Sequence, residues 1–236
     1  MEDYGIGDRL KRFEDDLKSR CLECGRGEND VTLIGVSKVF PVEYAKAAYN
    51  AGLRDFGENR VQEFVPKTEE FSDCGYSDAR WHLIGTLQKN KVKYIVGKTY
   101  LIHSVDSAEL AAEISKRSVC NNVTSDILLQ VNVSGEESKH GFAPEMLPDI
   151  SAQIAEMPGV NVRGIMTMAP IQKEEGDAGK VFGNTRKLFE NCSYGKWDIL
   201  SMGMSGDWKY AVAEGATHIR IGTAIFGDRA AYTASV

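Results

Sequence analysis

Short apolar runs that alternate with helical segments are the feature that most limits what this chain can fold into. Near-continuous apolar runs of this length are typical of strands buried on both faces, as in parallel sheets. Eight such runs occur, at residues 31–38, 55–58, 81–85, 101–105, 127–133, 162–168, 199–204 and 218–223. An all-parallel arrangement of eight strands restricts the chain to very few architectures.

Helical patterns lie ahead of and between the runs. Helices are predicted at about 8–23, 42–51, 107–117 and 144–156. Gly52 is a C-cap signal, Ser107 an N-cap signal, and Pro144 suits a first helical turn. The alternation predicts a single (β/α)8 TIM barrel, an α/β fold, with an extra N-terminal helix and one domain over residues 1–236. An open doubly wound sheet is the alternative, although it usually has fewer strands in a chain of this length.

Composition and charge exclude several classes of protein. The 236 residues are 42% hydrophobic and 26% charged, which excludes a disordered or collagen-like chain. The net charge of −6 gives no electrostatic footprint for nucleic acid or an anionic membrane. No apolar stretch approaches the roughly 20 residues that span a bilayer, and residues 1–5 are acidic and polar, unlike a signal peptide. We therefore expect a cytoplasmic protein, and a monomer because no heptad pattern stands out.

The cysteines and histidines do not follow a metal-binding pattern. Cys21 and Cys24 have the spacing of a zinc or redox pair, but no second pair follows at zinc spacing. The histidines are scattered, with no two at helical ligand spacing. We expect reduced thiols and no dedicated metal site.

Lys38 closes the first apolar run, and active sites of such barrels lie at the C-terminal ends of the strands. With period-two alternation Lys38 shares a face with Ile34 and Val36, which would direct it into the barrel mouth. Poor solvation there would lower the pKa of the amine and free it to attack an aldehyde. A strand-end lysine that reaches solvent is the alternative interpretation.

The loops after the seventh and eighth runs carry residues suited to an anion. Barrels often bind phosphate there through backbone N–H groups. Gly222 lets the backbone approach an anion closely, and Ser205 and Thr223 add hydroxyls. As alternatives, Ser205 is a plain helix N-cap and Gly222 a tight turn, and Asp207 would compete with an anion for the helix dipole. A Schiff-base lysine with a phosphate cup describes a site for pyridoxal 5'-phosphate (PLP).

Nine motifs in chain order point to one family. They are Val-Ser-Lys at 36–38, Phe-Gly-Glu-Asn at 56–59, Trp-His-Leu-Ile-Gly at 81–85, Leu-Gln-Lys-Asn-Lys at 87–91, Val-Asn-Val at 131–133, Glu-Ser-Lys at 137–139, Arg-Gly-Ile-Met-Thr-Met at 163–168, Ser-Met-Gly-Met-Ser at 201–205 and Arg-Ile-Gly-Thr-Ala-Ile-Phe-Gly at 220–227. Through these motifs the chain resembles the YggS/PROSC family of pyridoxal phosphate homeostasis proteins, from about residue 31 to 227.

The resemblance implies a barrel like the N-terminal domain of alanine racemase, with PLP held as a Schiff base on Lys38. It also implies phosphate contacts from Ser205, Gly222 and Thr223. By analogy with the racemase arrangement, Arg220 should lie near the pyridine nitrogen, where a cation disfavours protonation of the ring.

Supporting positions follow from the same resemblance. Asn59 and His82 are expected at strand ends facing the mouth. Met168 and Met202 are candidates for packing on the ring, with core filling as the alternative for at least one of them. Phe40 departs from the family pattern, in which a polar residue is more frequent.

Two functions are compatible with these sequence features. A carrier would bind and buffer PLP within the cell and pass it to PLP-dependent apoenzymes, whereas a racemase-like enzyme would use PLP as an electron sink. We favour the carrier, because the sequence ends at Val236 where related enzymes continue into a second domain, and because Arg220 would weaken the electron sink. A site for another phosphorylated metabolite would leave Lys38 unexplained. Lys139 is a candidate second amine for PLP exchange, with a solvated surface lysine as the alternative.

Overall fold

Eight parallel strands form a closed barrel in the computed structural model, which describes residues 4–135, 140–170, 177–191 and 197–228. The strands are β1 (Thr32–Val36), β2 (Asp55–Glu58), β3 (Arg80–Leu83), β4 (Leu101–Val105), β5 (Ser125–Gln130), β6 (Val160–Met166), β7 (Ile199–Met204) and β8 (His218–Ile221). Each strand pairs with the next along the chain, and β1 pairs in parallel with β8. This closure confirms the predicted barrel and excludes the open doubly wound sheet.

Helices surround the barrel. They are α1 (Ile6–Glu23), α2 (Val42–Asn50), α3 (Val61–Asp73), α4 (Ala108–Cys120), α5 (Leu147–Ala155), α6 (Asp177–Asn191), α7 (Trp208–Ala213) and α8 (Thr223–Phe226). Ser107 caps α4 as predicted, because its hydroxyl accepts a hydrogen bond from the Leu110 N–H at 3.3 Å.

Two connections differ from the regular alternation that the sequence predicts. The link between β3 and β4 is a 3-10 helix, Lys89–Tyr94, in which Val92 alone is buried, so the segment has too little apolar surface to anchor an amphipathic α-helix. The helix predicted at 144–156 begins as a 3-10 turn, Pro144–Met146. The α-helix then starts at Leu147, with Pro148 in its first turn, where a missing N–H costs nothing.

The extra N-terminal helix is confirmed and packs on the outside of the barrel. Its buried side chains recur every three or four residues and so form one face: Ile6, Leu10, Phe13, Leu17 and Cys21. This face contacts α8, α2 and α7, and the Phe13 ring lies 5.0 Å from the ring of Trp208. Complete burial of a large apolar side chain stabilises a fold by about 1.5–3 kcal/mol, so α1 is an integral part of the structure.

The inside of the barrel is divided between apolar and polar side chains. Leu101, Leu128, Met166 and Ile199 form a small apolar cluster contributed by four neighbouring strands. A much larger core, which includes Phe56, Phe64 and Phe182, lies between the strands and the helices. The remaining interior carries buried polar groups, and these lead to the candidate site.

Candidate functional site

Five of the predicted site residues lie together at one end of the barrel. Lys38 follows β1, Asn59 follows β2, Ser205 follows β7, and Gly222 and Thr223 follow β8. Because all strands are parallel, these positions are at the same mouth. Ser205 and Thr223 are exposed, Lys38 and Asn59 are half-buried, and Gly222 is buried. The mouth therefore combines a lysine, an amide and two hydroxyls on a rigid rim.

Close backbone packing fixes the position of Asn59. A Cβ atom on Gly85 would lie 2.3 Å from the Asn59 carbonyl oxygen, so only glycine permits this approach. The Gly85 carbonyl in turn accepts a hydrogen bond from the Ser104 hydroxyl at 2.6 Å. The ends of β2, β3 and β4 are thereby joined around the mouth.

The end of β7 has a tight geometry that only glycine tolerates. Gly203 has φ +95°, and a Cβ there would lie 2.6 Å from the Ala211 Cβ. The buried Asp207 carboxylate accepts a hydrogen bond from the Met204 N–H at 2.5 Å. Burial raises the pKa of Asp207, while the Met204 hydrogen bond and the Arg220 charge oppose the rise. Ser205 and Gly206 remain exposed between these fixed points.

Helix α8 begins directly at the mouth. Gly222 is its N-cap, and the Gly222 carbonyl accepts hydrogen bonds from Ile225 and Phe226 at 3.0 and 2.9 Å. The first amides of a helix have no partner within the helix and carry the positive end of its dipole. Thr223 adds an exposed hydroxyl at the same point, so this turn presents donors to the mouth.

Arg220 lies inside the barrel, with only 4% of its surface exposed. Its Nη1 donates to the Ser201 hydroxyl at 2.6 Å and its Nη2 to the Thr167 carbonyl at 2.9 Å. Burial lowers the pKa of Arg220 to about 10, and the nearby Asp207 partly opposes this. Within the described ranges, no carboxylate lies within 4.0 Å of the guanidinium, so its immediate partners are neutral.

A chain of hydrogen bonds leads from Arg220 across the barrel to Asp55. Ser201 bonds His103 Nδ1 at 3.0 Å, His103 Nε2 bonds His82 Nδ1 at 2.9 Å, and His82 Nε2 bonds Asp55 at 3.0 Å. We refer to Arg220, Ser201, His103, His82 and Asp55 as the interior chain.

Hydrogen-bond chemistry assigns every proton in the interior chain. A carboxylate only accepts, so His82 Nε2 donates to Asp55 and the neutral His82 ring accepts at Nδ1 from His103 Nε2. His103 Nδ1 then accepts from Ser201, whose oxygen accepts from Arg220. All donors point away from the guanidinium, and the chain connects a buried cation to a buried anion.

The two ends of the interior chain differ in their surroundings. Asp55 also receives two hydrogen bonds from Arg80, at 2.7 and 2.5 Å, at the opposite end of the barrel from the mouth. Burial raises the pKa of Asp55, but the hydrogen bonds from His82 and Arg80 outweigh it and hold the pKa below its usual value. Burial lowers the pKa of His82 and brings that of His103 well below its usual value, which keeps both rings neutral.

Two predicted site residues are corrected by the structure. His82 does not face the mouth at a strand end: the ring is fully buried, and both of its nitrogens are bonded within the interior chain. Met202 is fully buried in the core between strands and helices, whereas its neighbour Ser201 points into the barrel. Alternation along β7 therefore turns Met202 away from the mouth, and Met168, which packs against the inner cluster, is the methionine on the inside.

The sequence interpretation missed several groups beside the site. His103 and Ser201 are polar residues within apolar runs, and this pattern could have identified them as buried polar groups. Lys67 occupies the apolar stripe of α3 defined by Val61, Phe64 and Phe71. A lysine on such a stripe indicates a buried charge with a partner.

The remaining sequence predictions concern Lys139, the cysteines, a metal site and a membrane-spanning helix. Lys139 lies outside the described residues, and so does Cys192. Cys21 and Cys24 carry free thiols. In the ranges that the structure describes, no three histidine, cysteine, aspartate or glutamate residues are grouped to hold a metal ion. The same ranges contain no helix with the length and apolar character needed to cross a bilayer.

Sequence and structure comparisons identify the relatives of the chain. The sequence profile of the alanine racemase N-terminal domain family matches residues 32–230. A pyridoxal phosphate homeostasis protein of Aquifex aeolicus is 45% identical over 226 residues, which cover 94% of this chain and 97% of that protein. The protein of the same name from Pseudomonas aeruginosa is 38% identical over 95% of this chain and 96% of its own length.

Solved structures agree with these matches. PipY of Synechococcus elongatus, solved with PLP bound, superposes with a TM-score of 0.83 at 36% identity, over 94% of this chain and all of PipY. Alanine racemase of Clostridium difficile superposes with a TM-score of 0.72 at 14% identity, over 91% of this chain and 58% of that enzyme, which shows a shared fold. The chain therefore belongs to the alanine racemase N-terminal domain family and, within it, to the pyridoxal phosphate homeostasis proteins.

Proposed function

We propose that the protein binds PLP, holds it as a Schiff base on Lys38, and acts in PLP homeostasis as a cytoplasmic carrier or buffer without catalysis. The observation that carries the proposal is the combination of Lys38 at the mouth with a buried Arg220 whose immediate partners are neutral. Membership of the family and the PLP bound to PipY support it. We treat residues 1–236 as one PLP-binding domain.

The donors at the mouth fit the phosphate of PLP. Thr223 and the first turn of α8 supply a hydroxyl and backbone amides, and Ser205 supplies a second hydroxyl across the rim. Because the Asp207 carboxylate already accepts the Met204 N–H, we assign the phosphate to α8 and Ser205 rather than to the start of α7. Gly222 allows close approach of the backbone.

The donor set around Arg220 fits the pyridine nitrogen. Two of its N–H groups are used by Ser201 and Thr167, and no carboxylate neutralises the guanidinium within the described ranges. A fixed cation at the ring nitrogen disfavours protonation of the ring and so weakens the electron sink that racemisation needs. This supports a carrier over a racemase-like enzyme.

Asn59 and His82 have different supporting roles in this proposal. Asn59 stays at the rim, where close packing of Gly85 fixes its backbone, and we assign its side-chain amide to the cofactor. His82 acts at a distance, since its bonds to Asp55 and His103 orient the interior chain that ends at Arg220. Met202 packs in the core outside the barrel, so we assign contact with the cofactor ring to Met168, which packs against the inner cluster.

An absorption experiment tests the covalent site. Purified protein is mixed with PLP, the visible spectrum is recorded, and the adduct is reduced with borohydride and located by peptide mass mapping. We expect a visible band in the wild type, its loss in Lys38→Ala and its retention in Lys93→Ala, which alters an exposed lysine of the 3-10 helix between β3 and β4. The reduced adduct should map to the peptide that contains Lys38. A wild type without a band, or an adduct on another lysine, would overturn the assignment.

A second measurement separates the carrier from the enzyme. PLP-loaded protein is incubated with alanine and other amino acids, and separately with a PLP-dependent apoenzyme. We expect no racemisation above that of free PLP, together with activation of the apoenzyme. Racemisation that depends on Lys38 would establish the enzyme instead.

A further inference from the structure

The turn that carries Lys38 contains a strained residue. Val39 has φ +76°, a region that β-branched residues rarely adopt. Its side chain is 45% exposed, so burial of the isopropyl group does not offset the strain. A residue stays in such a conformation only where its surroundings impose it. The contacts on either side of Lys38 must therefore hold the backbone in place.

Two side chains of α3 supply those contacts. Glu63 and Lys67 are four residues apart and share one face of the helix. A Glu63 carboxylate oxygen accepts the Val39 N–H at 2.6 Å, and Lys67 Nζ donates to the Ser37 carbonyl at 2.9 Å. The first bond engages the peptide group after Lys38 and the second the peptide group before it.

Lys67 is itself fixed by a buried carboxylate. Its Nζ lies 2.5 Å from Glu58 Oε1, and the same oxygen accepts the Ser37 hydroxyl at 2.6 Å. Glu58 is fully buried, and the Lys67 side chain is nearly so. Charge-assisted hydrogen bonds of this kind are short and directional. Lys67 is therefore a rigid donor to Ser37 and has its amine occupied.

The other side of the turn is also anchored. Phe40 is buried, and its ring lies 5.0 Å from the Tyr44 ring and 5.9 Å from the Phe226 ring of α8. The turn is thus held between α3 and α8, the helix that begins at Thr223. A polar residue at position 40 would lose this packing, which explains how the chain accommodates its departure from the family pattern.

We propose that Glu63 and Lys67 are positioning residues that hold the backbone of Lys38 so that its amine faces the barrel mouth, with the strain at Val39 as the consequence. The proposal rests on the proposed function, because it takes Lys38 as the residue that bonds PLP. It adds that α3, which contributes nothing to the mouth directly, determines how fast Lys38 reacts.

The first test concerns Glu63 and measures the rate at which the visible band forms with PLP. Glu63→Ala removes the acceptor, and we expect the rate to fall about tenfold or more, since a small misplacement of a reacting group has effects of this size. Glu63→Gln keeps an acceptor oxygen and should stay within about twofold of the wild type. Glu70→Ala, on the same helix but paired with Lys46, is the matched control and should not change the rate.

A second variant separates backbone positioning from general damage. Asparagine tolerates positive φ much better than valine. In Glu63→Ala the residue at position 39 should leave the positive-φ region, as read from backbone couplings by NMR in the cofactor-free protein. In Val39→Asn/Glu63→Ala the positive φ should persist and most of the rate should return.

Lys67 is tested without leaving a buried charge unpaired. The double variant Glu58→Gln/Lys67→Met removes both charges and the hold on the Ser37 carbonyl. We expect slower band formation and a shifted pH titration of the visible band in the double variant. Glu58→Gln alone retains Lys67, so its rate of band formation and its pH titration should change less than those of the double variant.

The possible results are distinguishable. A wild type without a visible band overturns the proposed function. A wild-type band that is lost in Lys38→Ala, with an unchanged rate and an unchanged φ at position 39 in Glu63→Ala, overturns the positioning role alone. Slow band formation in Glu63→Ala that Val39→Asn restores supports it.

Discussion

Arg220 donates a hydrogen bond to Ser201 at 2.6 Å, and through this one hydroxyl the buried guanidinium is linked to two histidines and Asp55. Ser201 is the only member of the interior chain that both accepts from a cation and donates to an imidazole. The position of the Arg220 guanidinium therefore depends on two buried partners, the Ser201 hydroxyl and the Thr167 carbonyl.

Replacing Ser201 with alanine should lower the free energy of unfolding by more than the removal of an ordinary buried hydroxyl does. The substitution leaves His103 Nδ1 without a donor and one Arg220 N–H without an acceptor, and both groups are buried. We expect a loss of about 2–3 kcal/mol in the free energy of unfolding, because unpaired buried groups bear the full cost of desolvation. Urea unfolding of the cofactor-free protein measures this.

Ser118→Ala is the matched control for that substitution. Its hydroxyl is fully buried too, but it bonds the Ser125 hydroxyl at 2.8 Å. We expect a loss of about 1 kcal/mol, typical of a neutral hydrogen bond. Equal losses in the two variants would show that the interior chain is not held by Ser201.

Three histidines of the barrel strands should make the free energy of unfolding fall as the pH falls. Burial lowers the pKa of His82, His103 and His218, that of His218 to about 3. Below about pH 6.5 the unfolded chain binds protons that the native rings refuse, so the native state loses stability as the solution becomes more acidic. His103 and His218, whose pKa values are lowered most strongly, should each contribute about 1 kcal/mol between pH 6.5 and 5.5.

His218→Gln isolates one of these contributions. His218 Nδ1 lies 3.0 Å from the Thr217 hydroxyl, a bond that glutamine can also make. Comparing unfolding free energies at pH 6.5 and 5.5, we expect the difference to be about 1 kcal/mol smaller in the variant. An unchanged difference would mean that His218 takes up protons over this pH range as readily in the native protein as in the unfolded chain.

The parts of the fold that depend on local pattern were predictable, and the parts that depend on depth and register were not. The apolar runs predicted eight strands because a strand buried on both faces needs apolar residues at successive positions. Because successive positions are all apolar, the sequence does not show which residues face the inside of the barrel and which face the helices. Met202 and Ser201 lie in one apolar run, and only closure of the barrel determines which of them points inside.

In the candidate site, too, the residues set by local pattern were predictable and those set by depth and register were not. Lys38, Gly222 and Thr223 were located at the mouth because strand ends are visible in the sequence. His82 was misplaced because its depth depends on the register of β3 against β2, where it pairs with Gly57 in the middle of the strand. The bonds from α3 to the Lys38 turn join residues that are 24 and 30 positions apart, which no local pattern reveals.

Gly203 near the end of β7 and Gly206 in the turn after it should differ in their response to alanine. Gly203 has φ +95° and no room for a Cβ beside Ala211, so Gly203→Ala should lower the free energy of unfolding by about 2–4 kcal/mol. No atom outside its own chain neighbours lies within 4 Å of a Cβ placed on Gly206, so Gly206→Ala should change stability by less than about 0.5 kcal/mol. Thermal unfolding of both cofactor-free variants tests the pair, and similar midpoints would contradict the turn geometry.

The buried pair of Glu58 and Lys67 should show strong coupling in a double-mutant cycle. Lys67→Met leaves a fully buried carboxyl group that keeps the Ser37 hydroxyl as its described partner, and we expect a loss of about 3–5 kcal/mol. Burial already raises the pKa of Glu58 against the opposing Lys67 charge, so without Lys67 the group should become protonated at higher pH.

Adding Glu58→Gln to that variant should restore at least half of the lost stability, because the double variant buries no charge and the new side-chain amide oxygen still accepts the Ser37 hydroxyl. Unfolding free energies of the wild type, both single variants and the double variant measure the coupling. Strictly additive losses would mean that the two charges are solvated separately. Band formation with PLP should stay slow in the double variant even where stability returns, since the donor to the Ser37 carbonyl is still missing.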